Sequence, residues 1–160
     1  MTKGKIAKIV LIFSLIFLAI SMISYYFGSE LITFGWHIMH PQEIKWNGLN
    51  IVVPKNLIGK YKDNKLLIYQ RRDPGEITII FSRSNSHYEP NKYHKINFKI
   101  IEENKVIVMN NESVWIKAVS ENGEFEYLED IYFLSKPIRI AFLGKKKNRD
   151  IFEKVINDLK

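Results

Sequence analysis

Residues 9–27 carry no charged side chain, and this run constrains the chain more than any other feature. As a helix, its nineteen residues rise by ~28 Å at about 1.5 Å each, close to the ~30 Å hydrocarbon core of a bilayer. Twelve of the nineteen are Leu, Ile, Val or Phe. Insertion therefore gains on the order of 5 kcal/mol, which Ser14, Ser21, Ser24 and the two tyrosines do not cancel. Lys3, Lys5 and Lys8 precede the run, and no Lys or Arg follows it until Lys45. The positive-inside rule then predicts a cytoplasmic N-terminus and an extracytoplasmic (periplasmic or extracellular) remainder. Tyr25, Tyr26, Phe27, Phe34 and Trp36 gather at the far end, as expected of an interfacial belt. A cleavable signal peptide is the competing explanation, with Ala19 and Ser21 as its small residues. Its apolar core is usually only ~7–15 residues, whereas this one continues through Met22, Ile23, Tyr25 and Tyr26. A retained, single-pass signal anchor fits better.

Beyond the anchor the pattern changes from continuous apolarity to alternation. The chain divides into a basic N-terminus (1–8), the span (9–27), a juxtamembrane segment (28–48) and one domain (49–160). About 110 residues suffice for one hydrophobic core and leave no room for a second domain. Period-two runs of β-branched and aromatic residues predict strands at 49–53, 66–71, 76–82, 105–110, 113–120, 125–134 and 137–143. The expected inward sets are Ile77, Ile79 and Phe81; Val114, Ile116 and Ala118; Phe125, Tyr127 and Ile131; and Ile138, Ile140 and Phe142. Short polar connections at 73–75, 110–112 and 121–123 suit hairpins. Residues 87–104 are ambiguous, but Tyr93, Ile96, Ile100 and Ile101 after Pro90 favour a helix. Ile151, Phe152, Val155, Ile156 and Leu159 predict an amphipathic terminal helix, with Asn148 as its N-cap. The expected class is α+β: an N-terminal transmembrane helix, then an antiparallel sheet covered by a C-terminal helix.

Three stretches, GLNIVVP opening a strand, then EITIIFS, then RIAFLG leading into a terminal helix with Phe152 and Ile156, resemble small exported domains of the PsbP/Mog1-like kind. The resemblance covers roughly residues 49–160 and rests on strand order. It implies a non-catalytic domain that assists assembly or binds a partner.

The chemistry-bearing residues are sparse. There is no cysteine, which removes disulfides, thiolate metal sites and cysteine nucleophiles. No GxSxG, HExxH, SxxK or glycine-rich phosphate loop occurs, so no catalytic residue and no cofactor is assigned. His37 and His40 lie three apart with Glu43 nearby, yet Pro41 intervenes and a third nitrogen ligand is lacking, so no metal is expected. Tyr88 and Tyr93, flanked by His87 and His94, and Trp115 are the candidates for a pocket mouth. Lys145, Lys146, Lys147 and Arg149 form the strongest basic cluster, suited to a phosphate or lipid headgroup at a helix N-terminus or simply to a solvated turn. Glu102-Glu103 and Glu129-Asp130 read as solvated surface, because neighbours in a strand face opposite ways. Glu121, Glu124, Glu126 and Asp130 suit an acidic hairpin face.

The net charge of +7 does not call for nucleic acid, because three of the lysines precede the span and an extracytoplasmic domain does not meet it. The function these residues support is an accessory or interaction protein at the membrane, recruiting or stabilising a protein partner. An exported small-ligand-binding domain is the alternative, and an enzyme a more distant one.

Overall fold

The computed structural model describes residues 3–83, 93, 96–121 and 125–159, with side chains from Lys8 onward. Helix α1 runs Lys3–Met39 without interruption, about 55 Å at 1.5 Å per residue. It ends just before Pro41, which lacks the N–H that a continuing helix needs. The expected juxtamembrane segment is thus mostly helix. Through residues 9–26 every side chain of α1 is exposed, as in a helix that is apolar all round and has no protein to pack on. Two of its hydroxyls bond back within the helix, Ser14 Oγ donating to the Val10 carbonyl at 2.9 Å and Thr33 Oγ1 to the Ser29 carbonyl at 2.7 Å.

A small hairpin follows, β1 (Glu43–Trp46) and β2 (Leu49–Val52), turning at Asn47 and Gly48 with φ of 47° and 80°. Two successive positive φ values give the turn whose twist matches paired strands, and Asn-Gly is its preferred sequence. The main sheet contains β3 (Ile58–Lys62), β4 (Lys65–Tyr69), β5 (Ile77–Arg83), β6 (Phe98–Val108), β7 (Asn111–Ser120), β8 (Tyr127–Phe133) and β9 (Ile138–Gly144). Its order is β3-β4-β5-β9-β8-β7-β6, and every pairing is antiparallel. The chain therefore builds one half outward-in, crosses to the far edge, and returns so that β9 closes against β5. A 3-10 turn, Lys146–Asn148, leads into α2 (Arg149–Asn157).

The sheet is buried on both faces, unequally. On one face α2 and the β1–β2 hairpin cover Ile77, Ile79, Phe81, Tyr127, Ile131, Ile138, Ile140 and Phe142. Phe152 anchors α2, stacking on Phe142 at 5.4 Å and meeting Trp115 edge-on at 6.0 Å. Val114, Ile116 and Ala118 are buried as expected but on the opposite face, with Tyr93, Phe98, Leu128 and Tyr132. Phe125 sides with this second cluster, apart from Tyr127 and Ile131. The fold is α+β, with a long apolar N-terminal helix, antiparallel sheets and a short C-terminal helix.

Three local expectations are corrected. Phe98–Val108 is a strand rather than part of a helix; the rest of the stretch predicted helical before Tyr93, and residues 94–95, lie outside the described residues. A register shift between Ile100 and Glu102 sends Phe98 and Ile100 to one face and Val106 and Val108 to the other, which erases the period-two signal. The β6–β7 turn sits at Met109 and Asn110, with φ of 52° and 58°, leaving Asn111 and Glu112 inside β7. Asn148 occupies the expected N-cap position without capping; its Nδ2 donates instead to the Glu76 carbonyl at 2.7 Å.

Candidate functional site

The seven residues singled out as binding candidates do not share one place. Tyr88 lies outside the described residues. Tyr93 is buried on the second face, Trp115 is half-buried beneath α2, and Lys145, Lys146, Lys147 and Arg149 straddle the turn between β9 and α2. Each group is organised by an acid that sequence patterning did not single out as a partner.

Glu129 and Asp130 are completely buried and face opposite sides of β8, which corrects their reading as solvated surface and removes Asp130 from any acidic hairpin face. Burying a carboxylate is costly unless cations and hydrogen bonds replace its water. Asp130 receives Arg139 in a forked arrangement, Nε at 2.8 and 2.9 Å and the terminal nitrogen at 2.5 Å, and the Tyr93 hydroxyl donates to it at 2.8 Å. Tyr93 also meets the Tyr132 hydroxyl at 3.1 Å, and the Arg139 guanidinium lies 5.4 Å from the Tyr132 ring centre. Burial and the nearby Asp130 charge raise the pKa of both tyrosines. For Arg139, burial opposes the charge, but the bonds to Asp130 prevail and its pKa is raised. On the α2 face, Glu129 accepts from Trp115 Nε1 at 2.6 Å and Arg149 Nε at 2.5 Å, and Arg149 also reaches Glu153 at 2.5 Å. These clusters bolt Tyr93 and α2 onto the sheet, and they leave Tyr93, Trp115 and Arg149 engaged with protein partners.

The basic turn is likewise centred on an acid. Glu76 holds Lys145, and Lys147 at 2.9 Å, while the Glu76 carbonyl accepts from Lys145 N and Asn148 Nδ2. Gly144 permits this closeness, because a Cβ there would stand 2.5 Å from the Glu76 carbonyl oxygen. Hydrogen bonds from Lys145 and Lys147 lower the Glu76 pKa from 4.5 to about 2. A depressed carboxylate contributes stability that is fully present above its unfolded pKa and lost as pH falls through the folded one. Stability should therefore decline between pH 4.5 and about 2, and Glu76→Gln should flatten that part of a pH series of urea midpoints. An unchanged slope would mean the lysine grip does not persist in solution.

A further constellation forms where α1 meets the domain. His37 donates from Nε2 to the Leu57 carbonyl at 2.8 Å, and its Nδ1 is buried with no hydrogen-bond partner among the described residues. His40 stacks on Trp36 at 4.7 Å with the rings 9° apart. Trp36, expected in the interfacial belt, is half-buried against the domain core, and its ring approaches Gly59 of β3. Between the last turns of α1 and the sheet lies a cavity of about 490 Å³, bordered by Ser29, Glu30 and Phe34 from the helix and by Lys55, Arg71 and Arg72 from the domain. Arg72 faces Glu30 at 3.8 Å, so it pairs across the junction rather than with Asp73, which instead accepts from Gly75 N at 2.9 Å. Among the described residues no group of three His, Asp or Glu side chains is placed to hold a metal ion.

No family model matches the chain, and no curated protein matches its sequence. The fold does match a solved structure, the solution structure of cyanobacterial PsbP (CyanoP) from Synechocystis sp. PCC 6803, with 12% identity over 74% of this chain and 91% of that one, and a TM-score of 0.51. At that identity the likeness is one of architecture, and the domain has a PsbP-like fold.

Proposed function

We propose that this chain is a membrane-tethered accessory protein: residues 9–27 span the bilayer, residues 1–8 are cytoplasmic, and the domain of residues 49–160 lies outside the cytoplasm, where it recruits or stabilises a protein complex. The observation that carries the tether is a helix long and apolar enough to cross a membrane, exposed on every side through residues 9–26, whose far end is packed onto the folded domain through Trp36 and His37. An apolar surface of that extent needs lipid or protein around it. The accessory role is supported by the PsbP-like fold and by polar clusters that are consumed in holding the domain together.

The absence of cysteine makes the topology directly testable. Thr2→Cys and Lys146→Cys, each in the full chain, are treated with a membrane-impermeant maleimide on intact cells. Labelling of position 146 alone, with position 2 reacting only after lysis, is the expected result, and the reverse pattern would sink the orientation. The recruiting role is tested by crosslinking from native membranes with full-length protein and with residues 1–40 replaced by an unrelated anchor. The same membrane complex from both places recognition in the domain; no complex from either overturns the accessory role. Small-ligand binding is a second reading, favoured by the junction cavity, whose volume suits a small molecule.

A further inference from the structure

We propose that the cavity between the end of α1 and the sheet is a binding site for the phosphate headgroup of an anionic membrane lipid. The inference rests on the tether proposed above, because the tether sets the depth of the cavity. If residues 9–27 occupy the ~30 Å core, the next turn to turn and a half of α1 passes through a headgroup layer about 5–8 Å deep. The helical wall of the cavity begins there, at Ser29 and Glu30. The end of the site where Arg72 faces Glu30 is therefore at headgroup height without any movement of the domain.

Its chemistry suits a phosphodiester. Lys55, Arg71 and Arg72 border the cavity against one carboxylate, Glu30, so the site carries an excess of positive charge. Guanidinium groups grip phosphate oxygens through paired, charge-assisted hydrogen bonds. Arg72 is available for this, since its contact with Glu30 is long, 3.8 Å, and both side chains are more than half exposed, 58% and 57%. An exposed pair of that kind is worth ~1 kcal/mol or less and yields readily to a phosphate. The same cavity is bordered by Phe34 and Ile38, which are 66% and 69% exposed. At about 1.5 Å per residue they lie ~10 and ~16 Å beyond Phe27, above the headgroups, so it is the height of Glu30 and Arg72, not this apolar wall, that favours a lipid over a free phosphate. The basic turn is less suited, because Lys145 and Lys147 are both already held by Glu76.

The test uses the full chain reconstituted in bilayer nanodiscs of equimolar phosphatidylcholine and phosphatidylglycerol, extracted gently, with retained lipid identified by native mass spectrometry. Retention of phosphatidylglycerol about tenfold over phosphatidylcholine is expected, a preference of ~1.4 kcal/mol. Arg71→Gln/Arg72→Gln should abolish it and Lys55→Gln should weaken it. Lys146→Gln, an exposed lysine at the opposite basic turn, should leave it intact. Because Arg71 and Arg72 are exposed, their replacement should leave the circular dichroism spectrum unchanged. Equal retention of both lipids, or retention unaffected by the double replacement, overturns the proposal. Adding inorganic phosphate separates the two sources of the same chemistry: undiminished lipid retention supports a lipid site, whereas displacement of the lipid by millimolar phosphate overturns it. A chain that fails to enter nanodiscs overturns the tether and this site together, while one that enters without lipid preference overturns the site alone.

Discussion

Replacing Asp130 by Ala is expected to destabilise the domain by about 3–5 kcal/mol, the cost of stripping one partner from a buried ion pair. Asp130 is fully buried and takes three short contacts from Arg139 and a fourth from Tyr93. Its removal takes from the partly buried Arg139 guanidinium its carboxylate and from Tyr93 one of its two hydroxyl contacts among the described residues, beside the second core cluster. The size of the effect comes from what is left behind, so Asp130→Leu combined with Arg139→Met should cost less than Asp130→Ala alone. Urea unfolding of the full chain in detergent, followed by tryptophan fluorescence, measures both. A cost below ~1 kcal/mol for Asp130→Ala would equate the pair with an exposed salt bridge and contradict its burial. The pair also fixes register. Asp130 is opposite Ala141, and Arg139 is opposite Tyr132, so a two-residue slip between β8 and β9 would strand both charges.

The sequence was most legible where one physical demand dominated. Nineteen uncharged residues allow little besides a long apolar helix, and β5 and β9, adjacent in the middle of the sheet, carry dense β-branched and aromatic runs with Ile77, Ile79, Phe81, Ile138, Ile140 and Phe142 at every second position. It was least legible at the edges. Ile58–Lys62 buries only Ile58, and Glu43–Trp46 only Trp46, so neither short strand generates a pattern. In β6 the bulge reverses which residues face inward midway along the strand, and the resulting spacing of Ile96, Ile100 and Ile101 imitates a helix.

The polar clusters illustrate a different limit. Adjacent carboxylates in a strand do point opposite ways, but that rule makes them solvated only if one face of the strand is wet. Every residue of β8 is buried. The available signal was context: Glu129 and Asp130 interrupt YLEDIYF, and Arg139 interrupts IRIAFL, apolar runs in which charges survive only if paired. The junction cavity had no comparable signal, because its borders come from residues some 40 positions apart and depend on α1 continuing past Phe27.

Phe152→Ala should match or exceed the usual 3–5 kcal/mol for emptying an aromatic site in a core. Phe152 is fully buried, and it is the residue through which α2 engages both Phe142 at the sheet centre and Trp115 near its edge. A nine-residue helix is too short to persist in water by itself, so losing its anchor should release the whole segment rather than open a small cavity. That predicts a second, local consequence. Arg149 would leave Glu129, and the Trp115 indole would lose the aromatic cover that excludes water from its bond to the same carboxylate. A red shift in tryptophan emission should therefore precede global unfolding in Phe152→Ala, while Phe152→Leu, which keeps an apolar plug, should retain most of the stability and the original emission. Loss of less than ~1 kcal/mol in the alanine variant, with emission unchanged, would mean that the sheet holds its core without α2. The helix would then be a surface appendage, and Glu129 would need another reason to be buried.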